Sequence, residues 1–206
     1  MEQTHSTGIG AKAGGWGETE QDLMLIEASR RGDQLAFNRL VLKWEQRVFN
    51  LVLRMIGDRE EAADTTQEIF LAVYRSIGRF RGDARFSTWI YRIAVNHCLT
   101  RLRRRPMMIE SFDSKDSETG FGVEFSRKGD QEQQVLQGEQ RRSILRSVAA
   151  LPPKHRAVVE LKLFQEETFE SIATVLEEPL STVKSRFYAG LDVLKERLHF
   201  LAEESL

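Results

Sequence analysis

Phe37, Leu40, Val41, Trp44, Val48, Leu51, Val52 and Met55 recur at steps of three and four along the chain, a spacing that one face of an α-helix gathers into a stripe. The helical rhythm runs from Asp22 to Arg104. It returns with Val135, Leu136, Ile144, Leu145 and Val148, and again with Val158, Val159, Leu161 and Leu163. No strand-like alternation and no internal repeat competes with it, so an all-α fold is expected. Gly57 and Asp58 are suited to end the first long helix and cap a second, with Glu61 as capping-box partner. That second helix should turn Ala62, Thr66, Ile69, Phe70, Val73 and Ile77 inward. A short loop around Gly82 then leads to a third helix opening at Ser87 or Thr88.

Two stretches break the rhythm. Residues 1–20 are rich in glycine and hold one large anchor, Trp16, too little to offset the entropy of ordering, so a disordered tail is expected. Residues 106–133 lack a sustained period and read as a flexible acidic linker. Two small helical domains remain, 21–105 and 134–201. The single cysteine, Cys98, excludes an internal disulfide framework. No apolar run approaches the roughly 20 residues needed to cross a bilayer, and the chain does not open on a secretory signal pattern. A soluble cytoplasmic protein without membrane insertion is expected.

A formal net charge of −1, from 30 Lys plus Arg against 31 Asp plus Glu, conceals a strong polarity. Arg75, Arg79, Arg81, Arg85, Arg92, Arg101, Arg103, Arg104 and Arg105 are opposed over their span only by Asp83, whereas the segment that follows is dominated by acids. A helix this basic, with Phe86 and Trp89 near its start, suits a phosphate backbone. A merely solvated basic face has the same composition, and both readings stay open.

In the second domain Phe169, Ile172, Ala173, Val175 and Leu176 form a short apolar helix, residues 177–180 a turn containing Pro179, and Ser181 a cap for a last helix. Val183, Phe187, Leu191, Leu194 and Leu198 fall on the inner face of that helix. Thr182, Lys184, Ser185 and Tyr188 are left outside near its N-terminal end. This is helix-turn-helix spacing, whose second helix reads the major groove by its N-terminal residues; a plain helical hairpin shares it. No catalytic constellation is recognisable: P-loop, nucleophile elbow and carboxylate dyad are all missing. His97 and Cys98 point to different helix faces, and His5, His155 and His199 lack ligand spacing. Neither an enzyme nor a metal or other cofactor is expected.

Three segments together resemble the extracytoplasmic-function (ECF) sigma factors of bacterial RNA polymerase, a branch of the sigma-70 family. EEAADTTQEIFLAVYRSIGRF, residues 60–80, looks like the polymerase-binding segment. RGDARFSTWIYRIAVNHCLTRLRRR, residues 81–105, resembles the segment that recognises and melts the minus-ten element. ALPPKHRAVVELKLFQEETFESIATVLEEPLSTVKSRFYAGLDVLKERL, residues 150–198, is similar to the minus-thirty-five reader.

The resemblance implies two helical domains that bind core polymerase, recognise double- and single-stranded promoter DNA and promote strand opening. It implies that Asp64, Gln67, Glu68, Phe70 and Leu71 dock a coiled coil of the largest polymerase subunit. Arg79, Phe80, Arg81, Asp83, Arg85 and Phe86 would receive a flipped base of the minus-ten strand, with Thr88, Arg92 and Asn96 on the next helical face. Trp89, Ile90 and Ile93 keep the apolar period and read as core. Thr182, Lys184, Ser185, Arg186 and Tyr188 would meet the minus-thirty-five element. An anti-sigma partner is common in the family, and nothing in the sequence identifies one. Ala63 and Thr65 depart from the family's usual residues beside Asp64, as do Ala189 and Gly190 after the recognition aromatic. The acidic linker is expected to lie against the Arg92–Arg105 face and mask it in part. A stand-alone repressor and a sigma-like adaptor that binds polymerase without melting DNA are the rival readings.

Overall fold

The computed structural model describes residues 19–104 and 144–203. The expected linker, 106–133, and most of the expected tail lie outside them. Among the described residues there are helices and turns but no strand.

Helix α1 spans Glu20–Arg30, and its start is set by a capping box: Thr19 Oγ1 accepts from the Asp22 amide at 3.3 Å while the Thr19 amide donates to Asp22 Oδ2 at 2.8 Å. Thr19 and Glu20, inside the stretch expected to be tail, thus belong to the start of this helix. Asp22 is buried and pairs with Lys43 at 2.5 Å, pinning α1 to α2, Gln34–Ile56. Burial pushes its carboxyl pKa up, but bonds from Lys43 and Thr19 outweigh this and hold it below the ordinary value. Gly57 closes α2 with φ +84°, the left-handed C-cap for which glycine carries no Cβ penalty. Asp58 then caps α3, Arg59–Ser76, by accepting from the Glu61 amide at 2.7 Å.

A single 3₁₀ turn, Ile77–Arg79, and a loop bent at Gly82 (φ +78°) lead to α4, Phe86–Arg104. The core of this unit is aromatic: Trp44 meets Phe86 edge-on at 5.4 Å, and Phe86 meets Phe80 at 5.8 Å. Cys98 of α4 is wholly buried, and burial pushes its thiol pKa up to about 12.

In the second unit a helical segment at 144–149 turns at Leu151 into α5, Pro153–Val159, with proline in its first turn where an amide has no partner to lose. A five-residue π turn, Glu160–Phe164, follows, closed by the Gln165 amide on the Glu160 carbonyl at 3.2 Å. The wider turn rotates Glu160 into the interior and Leu163 out, so Leu163, counted in the apolar period, is 49% exposed. Helix α6, Phe169–Leu176, is capped by Thr168 and ends on Glu177 at φ +53°. Helix α7 runs Leu180–Glu203. It starts one residue before Ser181, which lies in its first turn instead of capping it. Gly190 lets α7 approach α5: a Cβ there would stand 3.0 Å from Val159 Cγ2.

The two units do not stand apart. Their buried side chains form one continuous cluster, with α4 laid against α6 and the end of α2 against the π turn.

Candidate nucleic-acid interface

The loop between the 3₁₀ turn and α4 is divided: Phe80 packs on Phe86 in the core of its own unit, while Arg79, Arg81 and Asp83 stay in water. Beside it lies a cavity of about 210 Å³, lined by Phe80 and Trp89, whose rings pack on each other at 5.2 Å, and by Arg79, Arg81 and Asp83. Thr174 of α6 closes one side. Trp89 is therefore half-buried and borders the cavity, beyond the core role its spacing suggests. Phe86 departs from expectation in the other direction. It is wholly buried, because its spacing to Ile90 and Ala94 puts it on the inner stripe of α4.

Thr88 and Arg92 lie on the α4 face that meets the second unit. Arg92 pairs with Glu177, the left-handed residue of the turn between α6 and α7. Thr88 Oγ1 stands 3.0 Å from Ser171 Oγ, and Ser171 donates its one proton to Glu167 at 2.6 Å, which makes Thr88 the donor between them. Asn96, one turn on, is exposed beside a polar crevice. That crevice is bridged by Arg101, which bonds Glu61 at 2.9 Å and Glu68 at 3.1 Å.

Deeper in the same junction is a closed polar network. Arg54 of α2 donates to both carboxylate oxygens of Glu160, at 2.7 Å each. Gln165 Nε2 donates to Glu160 at 3.0 Å, and Tyr91 of α4 donates to Gln165 Oε1 at 2.7 Å. Glu160 has no exposed surface; burial raises its pKa, and the bonds from Arg54 oppose the rise. Arg156 of α5 meanwhile donates to the Met55 carbonyl near the end of α2.

Between α2 and α3 lies a groove of about 480 Å³ whose apolar lining is Phe37, Val41, Phe70, Leu71 and Tyr74, with Gln67 among its polar residues. Leu71 and Tyr74 are half-exposed there, and Tyr74 meets Phe37 of α2 edge-on at 5.0 Å. Asp64 is exposed one turn before Gln67. Glu68 faces away from the groove, toward Arg101 and His97. On α7, Lys184, Ser185 and Tyr188 form an exposed face. Thr182 and Arg186 are half-buried, Arg186 paired with Glu178, which also holds Lys154 at 2.9 Å.

Residues 40–106 match Sigma-70 region 2, and residues 141–194 match Sigma-70, region 4. The RNA polymerase sigma-H factor of Pseudomonas aeruginosa is 35% identical over 191 residues, covering 90% of this chain and 98% of that one. The ECF RNA polymerase sigma-E factor of Escherichia coli is 31% identical over 182 residues, covering 86% and 94%. This chain belongs to the ECF sigma factors of the sigma-70 family.

Solved structures agree on the fold. CnrH in complex with the cytosolic domain of CnrY aligns with a TM-score of 0.64 at 19% identity, over 87% of this chain and 98% of that one. The sigma factor RpoE of Bartonella quintana, in complex with the anti-sigma factor NepR, aligns at 0.60 and 16% identity, over 79% and 96%. As an alternative sigma factor the protein directs promoter recognition by RNA polymerase; its family consists of transcription initiation factors.

Of the residues expected to act, the sigma factor brings Arg79, Phe80, Arg81, Asp83, Thr88 and Arg92 to one cavity, Gln67, Phe70 and Leu71 to one groove, and Lys184, Ser185 and Tyr188 to one face. Arg85 is exposed outside the cavity lining, and Phe86 and Glu68 are turned elsewhere. Sequence reasoning missed Phe37, Val41 and Tyr74 as groove residues. Tyr74 carried a signal, since a large aromatic on the outer face of α3 has no partner within that helix. No described helix is long and apolar enough to cross a membrane.

Proposed function

We propose that this sigma factor opens promoter DNA by capturing an unpaired base of the minus-ten element in the cavity lined by Phe80 and Trp89. Separating a duplex costs about 1.4 kcal/mol of stacking per base-pair step, and aromatic planes with cationic neighbours offset that cost on the released strand. The cavity supplies both, and this pairing of rings with Arg79 and Arg81 is the observation that carries the reading. Thr88, Arg92 and Asn96 extend the strand path along α4, and Arg103 and Arg104 hold backbone phosphate. Lys184, Ser185 and Tyr188 meet base edges of the minus-thirty-five element in the major groove, with Thr182 and Arg186 beside them.

Residues 21–105 form the domain that binds polymerase and the minus-ten element, and residues 134–201 the reader of the minus-thirty-five element. The groove between α2 and α3 takes one helix of a polymerase coiled coil, with Asp64 and Gln67 at its polar edge. The catalytic step of transcription belongs to the polymerase. Two structural neighbours were solved with a CnrY domain and with an anti-sigma factor, so an anti-sigma factor is counted among the partners. Purified protein added to core polymerase on a promoter library, read by run-off transcription, tests the reading. Initiation that is lost with Arg81→Ala and Trp89→Ala supports it; no initiation on any duplex template overturns it.

A further inference from the structure

Lys184 and Arg186 stand two positions apart near the start of α7, and the fold treats them differently. At about 100° per residue they fall on opposite flanks of the helix, with Ser185 between them. Lys184 is exposed, its ammonium 5.9 Å over the Phe169 ring. Arg186 has 21% of its side chain exposed and is paired with Glu178 of the turn before α7, itself 16% exposed. The joined atoms, Glu178 Oε2 and Arg186 Nη1, are out of contact with solvent.

The backbone aims this carboxylate. Glu178 follows the left-handed Glu177, its amide donates to the Ala173 carbonyl of α6 at 3.1 Å, and Pro179 stiffens the chain on its other side. Its second oxygen holds Lys154 of α5 at 2.9 Å, so one acid ties the turn, α7 and α5 together. The Lys154 side chain is 59% exposed, and an ion pair so open to water contributes little. The arm to Arg186 is half-buried and far less screened by salt.

An α-helix with its side chains is about as wide as the major groove, ~12 Å, so a helix seated there turns its flanks toward the two phosphate walls. The flank of Arg186 is where an arginine would hold phosphate. A guanidinium already matched by a carboxylate displaces no counterion from DNA and so adds little to binding. We infer that Glu178 is a positioning residue that withholds Arg186 from the DNA backbone, leaving the flank of Lys184 to engage the duplex. The inference rests on the proposed role of α7 as reader of the minus-thirty-five element. It keeps the sequence-independent part of binding low, so that occupancy depends on the fit of Lys184, Ser185 and Tyr188.

The test titrates the full chain with two duplexes across a range of salt concentrations. One carries the minus-thirty-five element of a promoter recovered from the run-off library and stops short of the minus-ten element; the other has that element scrambled. Glu178→Gln is expected to raise affinity for both duplexes alike, by at least about threefold, and to steepen the slope of log affinity against log salt by about 1 as Arg186 gains a phosphate. Arg186→Gln alone is expected to leave the parent slope in place. In the Arg186→Gln background, Glu178→Gln should no longer steepen it.

A slope flattened by about 1 in Arg186→Gln alone would show that Arg186 already holds phosphate, and overturns the inference. Steepening by Glu178→Gln that persists without Arg186 assigns the effect to repulsion by the carboxylate itself, and overturns it as well. Unchanged or weaker binding by Glu178→Gln, with thermal unfolding run beside it, reduces Glu178 to a support of the fold. If the parent binds both duplexes equally, or neither, the reading of α7 falls instead, while any measurable slopes still report on Arg186.

Discussion

Arg54 and Glu160, 106 positions apart in sequence, meet as a two-bond pair at 2.7 Å in the interior between the two helical units. A buried pair of this kind adds little over an apolar replacement, but the loss of one member strands the other charge away from water.

Arg54→Ala should therefore cost about 3–5 kcal/mol of stability, whereas the double change Arg54→Met with Glu160→Leu should be near neutral. Urea unfolding of the two variants beside the parent separates them. Equal losses in both would mean that the pair contributes packing alone.

Asp22 sets an acid limit on the first unit. Its pKa is depressed in the folded chain relative to its ordinary 3.8, so its contribution is present above the unfolded value and disappears as pH falls through the folded one. Melting temperature followed downward from pH 5 should fall less steeply in Asp22→Asn than in the parent, from a lower starting value.

Leu71 is 54% exposed in the groove between α2 and α3, so Leu71→Ser should leave the melting temperature within a degree or two while weakening association with core polymerase about tenfold or more. Fluorescence titration with purified core measures this. An unchanged affinity would move the docking surface elsewhere.

The DNA contacts should divide into two kinds. Lys184→Ala is expected to cost about 1–3 kcal/mol at one promoter position, whereas Arg103→Ala weakens all sequences alike and lowers the salt slope by about 1. Binding to a set of single-position promoter variants across salt concentrations distinguishes them.

Gly190→Val should destabilise the second unit by about 1–3 kcal/mol, because the stiff, buried Val159 stands where the new side chain must go. The same change at exposed Ala189 should alter stability by less than about 0.5 kcal/mol. Thermal unfolding of both variants decides.

Local signals carried most of the fold. Gly57, Asp58 and the Pro152–Pro153 step mark helix ends because capping chemistry acts over three or four residues, within sight of any reader of the chain. Thr19 and Asp22 carried the same kind of signal, hidden by the glycine-rich stretch before them. The base contact that the resemblance implies for Phe86 does not fit its burial, which its four-residue step to Ile90 already signals. The π turn at Glu160 breaks the 3.6-residue period, so periodicity could not foresee which of its side chains turn inward. Arg54, Tyr91, Gln165 and Glu160 were illegible for a different reason: each reads as ordinary in its own segment, and only the folded chain brings them together.

Cys98 is the sole thiol in the sequence, and it sits with no exposed surface and a pKa pushed up to about 12. At neutral pH it is neither thiolate nor reachable, the two conditions that peroxides and disulfide exchange require. Any thiol-based oxidative control over this factor must therefore be exerted on a second molecule and relayed to it by contact.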